Sequence, residues 1–424
     1  MTFERTLSYA RARDAADPLA RFREQFARPL SAAGEPLVYL CGHSLGLQPL
    51  AARQRLNEEL DDWAALGVRG HESARRAWIG YHEHMTAGLA ALAGARSGEV
   101  VAMNSLTVNL HLMLASFYRP AGGRTRILME ANAFPSDRHA VASQISWHGL
   151  DPATALLELQ PADASGQITT EQIEYFLSTR GTEIALVLWP GTQYLSGQVF
   201  DLPRIAAAAQ RHGCVVGFDL AHSIGNVPLS LHDSGADFAV WCSYKYLNAG
   251  PGAIGGCFVH ERHARSPSLP RLAGWWGHDP LTRFAMAPEF DPTPGAQGWQ
   301  ISNPSILSAA PLLASLDLFA AAGLTHLRAK SVALTGYLAF LLDSLPVEIL
   351  TPAGVSARGC QLSLRLGSEA APARSVFERL QHAGMVCDWR EPDVMRVAPV
   401  PLYNSFEEVF RFAAALETTL RDVG

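Results

Sequence analysis

Lysine is nearly missing from this chain. Its 424 residues hold two lysines, Lys245 and Lys330, against 32 arginines. A surface cation can be either residue. A nucleophilic amine cannot, because guanidinium stays protonated and does not condense with an aldehyde. A chain that uses Arg almost everywhere and keeps Lys at 245 points to amine chemistry there; codon bias with chance retention reads the same statistic. Lys330 stands in a plain helical run, Leu327-Arg328-Ala329-Lys330-Ser331, and reads as a solvated helix residue.

Other absences exclude whole classes. The six cysteines (Cys41, Cys214, Cys242, Cys257, Cys360, Cys387) show no Cys-x-x-Cys and no paired spacing, which argues against a disulfide framework and against a zinc site, so no metal is expected. Residues 1–30 alternate Arg, Asp, Glu and Ala with no apolar core of a signal peptide. With no long apolar run elsewhere, a cytoplasmic chain is expected, with no membrane partner. A net charge of −6 leaves no electrostatic footprint for nucleic acid. There is no internal repeat and no low-complexity tract. What remains is 48% hydrophobic and 17% charged, the balance of a well-packed globule long enough for two subdomains.

The first 30 residues read as a helix-rich arm. Val38-Tyr39-Leu40 reads as a short strand before a tight turn at Gly42-His43-Ser44-Leu45-Gly46, and residues 50–66 and 77–93 carry helical periodicity. From about residue 95 short β-rich runs alternate with helices. The runs are Val100-Val101-Ala102-Met103, Arg126-Ile127-Leu128-Met129, Ile184-Ala185-Leu186-Val187-Leu188, Val215-Val216-Gly217-Phe218, Phe238-Ala239-Val240-Trp241 and Gly256-Cys257-Phe258-Val259. Helices fall at roughly 107–119, 136–148, 169–180 and 202–212. That order predicts an α/β fold with a mostly parallel sheet covered on both faces, its sites at the carboxyl ends of the strands. Residues 260–300 are rich in Pro, Gly and Trp and have little periodicity, a pattern more often functional than idle. Helices at 305–321 and 324–345, three strand-like runs (361–366, 386–389, 395–397) and a last helix opening at Ser405-Phe406-Glu407-Glu408, a capping-box pattern, make a second α+β unit.

Chemistry-bearing residues stand where those strands end. Asp219 directly follows the apolar run Cys214-Val215-Val216-Gly217-Phe218 and precedes Leu220-Ala221-His222. It lies 26 residues before Lys245, one crossover away, so both can face one cleft. The run ending at Met103 leads into Asn104-Ser105-Leu106-Thr107, where a helix starts, and N–H groups at a helix N-terminus are a ready anion site. Phe134 precedes Pro135-Ser136-Asp137 after another strand, and Arg396 ends a strand of the second unit. A lysine for an aldehyde, an acid for a pyridine nitrogen, donors for a phosphate and an aromatic for a ring are what pyridoxal phosphate asks of a protein. Arg396 suits a substrate carboxylate whose binding closes the cleft. Tyr244 can reach the phosphate, and His222 can shuttle protons. Each residue has a plain structural reading as well: a helix cap for Asp219 and Thr107, a core imidazole for His222, a hydrophobic staple for Phe134 with Ser136 or Asp137 capping, a surface cation for Arg396. Their order along the chain is the stronger signal.

That order resembles the kynureninases. The resemblance rests on Phe218-Asp219-Leu220-Ala221-His222 and Trp241-Cys242-Ser243-Tyr244-Lys245-Tyr246-Leu247-Asn248-Ala249-Gly250. It extends to Leu40-Cys41-Gly42-His43-Ser44-Leu45-Gly46-Leu47-Gln48-Pro49, Gly70-His71-Glu72, Phe134-Pro135-Ser136-Asp137 and Gly274-Trp275-Trp276-Gly277-His278. It ends with Ile301-Ser302-Asn303-Pro304 and Arg396-Val397-Ala398-Pro399-Val400-Pro401-Leu402-Tyr403-Asn404-Ser405, so it covers nearly the whole chain. It implies a fold-type I pyridoxal phosphate enzyme, with a large cofactor-binding domain at 61–305 and a small domain from 1–60 and 306–424, the N-terminal arm included. It implies hydrolysis of kynurenine or 3-hydroxykynurenine to an anthranilate and alanine, in tryptophan catabolism or NAD biosynthesis, by a homodimer with shared sites.

By motif position Lys245 carries the cofactor and later takes the substrate α-proton, and Asp219 pairs with the pyridine nitrogen. Leu106, Thr107 and Tyr244 hold the phosphate, Phe134 stacks on the ring with Asp137 and His222 alongside, and Pro135 and Ser136 are further cofactor-binding residues. Trp275 and Asn303 reach in from the partner subunit. Arg396 grips the α-carboxylate; Ser44, His71 and Asn303 are expected at the substrate, the last two in a pattern that favours a ring hydroxyl. Tyr244, then His222, is the candidate proton relay at the ketone. The family usually has Asn where this chain has His43. A cysteine desulfurase or an aminotransferase of the same fold is the alternative, with Cys360 the one candidate nucleophile that has a nearby Arg, although its entry into a strand reads rather as a buried structural thiol; a non-catalytic scaffold is a further one.

Overall fold

The structure, a computed structural model, describes residues 3–266, 269–366 and 373–423. Pro267 and Ser268, inside the irregular segment, lie outside the described residues. A seven-stranded sheet runs in the spatial order Val100–Ala102, Gly256–Val259, Phe238–Trp241, Val215–Asp219, Ile184–Pro190, Arg126–Glu130, Leu156–Leu159. Five consecutive strands, from Phe238–Trp241 to Leu156–Leu159, are mutually parallel. Gly256–Val259 is antiparallel to both its neighbours. Val100–Ala102 therefore points the same way as the five, and the carboxyl ends of six strands open on one edge.

This is the α/β architecture expected, and the burial explains why it was readable. The central strands are buried along nearly their whole length, so both faces demand apolar side chains. Leu156–Leu159 was not expected. As an edge strand it is only half-buried throughout, and its Glu158 turns outward to pair with Arg138 at 2.9 Å. At the cleft edge the chain turns sharply through Asn104, Asn132 and Asn248, all with left-handed φ (45°, 58° and 52°), a conformation Asn tolerates better than most residues.

A second, antiparallel sheet runs Asp388–Arg390, Val394–Val397, Leu362–Leu366, Val347–Ile349. The strand expected at 386–389 is split: Met385–Val386 pairs with Val38–Tyr39, and Asp388–Arg390 joins this sheet. The helices Leu324–Leu342 and Phe406–Val423 share one apolar cluster with the sheet, and Ala10, Val38 and Leu40 of the arm join it. The last helix begins with the expected reciprocal cap, Glu408 N–H to Ser405 Oγ and Ser405 N–H to Glu408 Oε2, each 3.1 Å. Glu408 also takes Arg23 and Arg28, which fastens the arm.

Lys330 corrects the sequence reading. It is 6% exposed, with Nζ 2.7 Å from the Asp17 carboxylate. The arm folds over the helix Leu324–Leu342, so that face is covered rather than solvated. Among the described residues of 260–300 the helical elements are short 3-10 turns, with one antiparallel bridge between His278 and Pro292, and the segment is anchored by the Trp299 indole N–H to Ser116 Oγ at 2.9 Å. They leave Trp275, Leu281, Phe284 and Met286 exposed. Among the described residues no single helix is long and apolar enough to cross a membrane.

Candidate active site

Lys245 sits in the loop after Phe238–Trp241, and Asp219 is the last residue of the adjacent parallel strand. This register brings the two to one cleft, lined by Thr107, Phe134, Asp137, Asp219, His222 and Lys245 among others. Lys245 Nζ lies 2.9 Å from His222 Nε2 and 5.8 Å from the centre of the Phe134 ring. Phe134 is partly exposed and meets Tyr194 edge-on at 5.3 Å. It precedes Pro135, the first residue of the helix Pro135–Trp147, so the proline's fixed φ sets the turn that presents the aromatic.

Three carboxyl groups lie behind the cleft. Asp219 Oδ1 accepts the Ala221 N–H at 2.6 Å, a local turn that fixes the side chain. Asp219 also shares a hydrogen bond with Asp137, whose carboxyl is held well above the usual range, first by burial and then by the Asp219 charge. Asp137 Oδ1 is buried with no partner among the described residues. Glu130, at the end of Arg126–Glu130 with Ile184–Pro190 between it and Asp219's strand, is pushed up to about 8 by burial, with Asp219 adding to the rise and its hydrogen bond from Gln193 opposing it. Close carboxylates in a dry site cannot all ionise, so protons are retained here at neutral pH.

The imidazoles are neutral. Burial, then Lys245 and Arg396, holds His222 well below its ordinary value; burial, then Arg396 and Lys245, does the same to His43. Burial raises the Tyr244 phenol, so it stays a proton donor.

The helix Leu106–Phe117 starts at the cleft without a side-chain cap from Ser105. Its first N–H groups are therefore open to an anion. The Thr107 hydroxyl pairs with Ser136 Oγ at 2.9 Å, joining the two helix starts. Gly255 passes so close that a Cβ there would meet Leu106 N at 3.1 Å.

Not every expected residue joins the cleft of one chain. Trp275 and Asn303 are exposed, and Trp275 donates its indole N–H to Arg283 O. His71 is exposed and stands edge-on to Trp78 at 5.6 Å. Ser44 is half-buried in the Cys41–Gly46 turn. Arg396 is 1% exposed; its Nε and Nη2 each lie 2.8 Å from Asp388 Oδ1, and its Nη1 donates to Tyr194 O at 2.7 Å. Sequence reasoning missed Glu130, Gln193, Tyr194 and Asp388. Glu130 carried a signal, a lone acid closing the apolar run Ile127-Leu128-Met129; the others carried none. Cys360 is buried and its thiol is pushed up to about 12 by burial, the opposite of an activated nucleophile.

An amine beside neutral imidazole, buried acids at a strand end, an aromatic face and free helix N–H groups are a donor set that fits pyridoxal phosphate. Fold and site together define a pyridoxal phosphate enzyme of the aminotransferase class. The family model described as aminotransferase class-V matches residues 38–359, and that of the kynureninase C-terminal domain matches residues 327–416. Kynureninase of Xanthomonas campestris pv. campestris (strain B100) is 55% identical over 421 residues, 99% of each chain. Kynureninase of Myxococcus xanthus (strain DK1622) is 55% identical over 423 residues, again 99% of each. The chain belongs to the kynureninase family, pyridoxal phosphate-dependent hydrolases of carbon–carbon bonds. Among solved structures it is similar to a C-DES variant with glycine covalently linked to the PLP cofactor, at TM-score 0.76 and 19% identity, covering 93% of this chain and 99% of that one. It is also similar to an apo cysteine desulfurase from Thermococcus onnurineus NA1, at TM-score 0.72 and 18% identity, covering 91% and 95%. At such identities these two likenesses concern the fold alone.

Proposed function

We propose that Lys245, Asp219 and their neighbours carry out, in this chain, the family's hydrolysis of the Cβ–Cγ bond of L-kynurenine or 3-hydroxy-L-kynurenine, giving anthranilate or 3-hydroxyanthranilate and L-alanine. The observation that carries these roles is Lys245 Nζ set 2.9 Å from neutral His222, beside the strand that ends in Asp219. When bound, pyridoxal phosphate supplies an electron sink for the substrate's α-carbon.

The chain's residues do the rest. The N–H groups of Leu106 and Thr107, with Ser136 and the Tyr244 hydroxyl, hold the phosphate. Phe134, positioned by Pro135, covers the ring. Asp219, with Asp137 hydrogen-bonded to it, holds a proton at the ring nitrogen. The Lys245 amine takes the α-proton, and His222 orients it as a hydrogen-bond acceptor. Tyr244, kept protonated by burial, turns its one O–H from the phosphate toward the ketone oxygen as water adds. Arg396 has five N–H donors; Asp388 takes the Nε–H and Tyr194 one Nη1–H, with Nη2 also ion-paired to Asp388, so N–H groups remain for a substrate carboxylate.

The same reading makes the enzyme a cytoplasmic homodimer with shared sites. Trp275 and Asn303 reach the partner's cleft, and the exposed apolar group around Trp275 and Phe284 supports a covered surface there. His71 and Asn303 then meet the aryl ring hydroxyl, with Ser44 near the amino-acid end. The division into 61–305 and 1–60 with 306–424 belongs to this reading; the apolar cluster joining Ala10, Val38 and Leu40 to Leu334–Leu416 supports the small domain's two-part origin. The test is kcat/KM of purified holoenzyme for kynurenine and 3-hydroxykynurenine. The 3-hydroxy substrate is expected to be preferred; a ratio near one contradicts that preference, and no product from either substrate contradicts the assignment.

A further inference from the structure

His43 has no assigned task, yet its loop is tied to both ends of the site. Cys41 forms a parallel bridge with Ala398, two residues beyond Arg396. Gly46 N–H donates at 2.8 Å to the carbonyl of Tyr244, the residue before Lys245. Both glycines are pressed against their anchors. A Cβ on Gly42 would meet the Tyr403 hydroxyl at 2.1 Å, and one on Gly46 would meet Lys245 O at 2.3 Å. The turn thus has one path, tied on one side of His43 near the strand of Arg396 and on the other beside Lys245.

The imidazole is 0% exposed, and neither ring nitrogen has a partner among the described residues. A buried donor and acceptor left unpaired carry their full desolvation cost, so such a group in a native fold calls for a partner, water or ligand. Its surroundings say which kind. Arg396, Lys245 and Arg390 all bear on the ring as cations, and the Asp388 carboxylate that binds Arg396 lies with Cys41 Sγ within 4.8 Å of a ring nitrogen. The ring is neutral, with one N–H and one lone pair. An anionic oxygen arriving among those cations suits the N–H.

We propose that His43 is a substrate-binding residue whose ring N–H donates to the α-carboxylate that Arg396 also grips. This rests on the function proposed above, because the ligand is the amino-acid end of that substrate. His43 thereby helps set affinity for the amino-acid portion and leaves cofactor binding alone.

The test uses holoenzyme carrying His43→Phe and, beside it, His43→Leu, each removing both nitrogens, with His43→Asn as the variant that keeps a donor. L-Alanine binding is followed by the absorbance of the bound cofactor, kynurenine turnover by initial rates, and cofactor affinity by fluorescence titration. A hydrogen bond to a charged group predicts that the apolar variants weaken alanine binding and raise KM by about ten- to hundredfold. It also predicts a much smaller change in kcat, cofactor affinity within about twofold, and recovery of most of the loss by His43→Asn. Alanine binding within about twofold of wild type in a folded apolar variant overturns the proposal. So does a parallel loss of cofactor affinity, and so does failure of both apolar variants to fold while His43→Asn folds with weak alanine binding. A wild-type enzyme inactive on kynurenine sinks the proposed function instead.

Discussion

Lys245 Nζ stands 2.9 Å from His222 Nε2, although 23 residues separate them in the chain. The second imidazole nitrogen, Nδ1, is buried without a partner among the described residues. A neutral ring accepts an N–H from the amine without adding charge, which leaves the amine oriented toward the Phe134 side of the cleft. The two residues come together because one follows the strand Val215–Asp219 and the other follows its parallel neighbour.

Asp219 is expected to tune the cofactor rather than to hold it. Asp219→Ala should keep bound cofactor, visible in its absorbance, while kcat falls at least about a hundredfold. Wild-type turnover in this variant would remove Asp219 from the mechanism.

Glu130 makes the protein's stability fall as pH rises. Its carboxyl is raised from 4.5 to about 8 in the fold. Between those values the folded state keeps a proton that the unfolded chain has released, so unfolding releases protons and stability drops with rising pH. Relative to Glu130→Gln, the cofactor-free wild type should lose on the order of 4 kcal/mol from pH 4.5 to 8. Urea titrations at pH 5 and pH 8 check this, and a pH-independent difference between the two proteins would contradict it.

Lys330 and Asp17 form a buried pair at 2.7 Å. Burial lowers the lysine despite its partner, so the pair is not free of desolvation cost. Lys330→Ala should destabilise the fold by roughly 3–5 kcal/mol, because Asp17 is left buried and uncompensated. Replacing both, Lys330→Met with Asp17→Leu, should recover most of that loss. Denaturation midpoints measure it, and a Lys330→Ala protein as stable as wild type would show that the pair contributes nothing.

The proposed sharing of sites between subunits predicts complementation. Mixed dimers of Lys245→Ala with a Trp275→Ala, Asn303→Ala double variant should regain activity that neither parent has, since one site in each mixed dimer is intact. Mixtures no more active than their parents would place those residues outside the working site.

The parts of this protein that were legible in the sequence share a physical cause. Strands buried on both faces must be apolar throughout, so the runs ending near Met103, Phe218 and Trp241 stood out, and with them the polar residues that follow. The capping box at Ser405 was legible because its two bonds are local. Leu156–Leu159 was not, since an edge strand lacks the unbroken apolar pattern. Nor was Lys330's burial, which depends on the arm contributing Asp17 from more than three hundred positions away. Asp388 as the partner of Arg396 depends on antiparallel register in the small sheet, which pairs the two residues directly. Glu130 looked like the end of a strand; its carboxyl is raised first by burial and then by Asp219, one further strand removed, and neither is visible in the local sequence.

The scarcity of lysine allows the most direct test of the central claim. Borohydride fixes pyridoxal phosphate to whichever amine carries it, and only Lys245, Lys330 and the chain's N-terminus are candidates. Peptide mass mapping of the reduced holoenzyme should place the label on the peptide containing Lys245, with Lys330 unmodified. A label on Lys330, or a fully loaded enzyme with Lys245 unlabelled, would contradict the account.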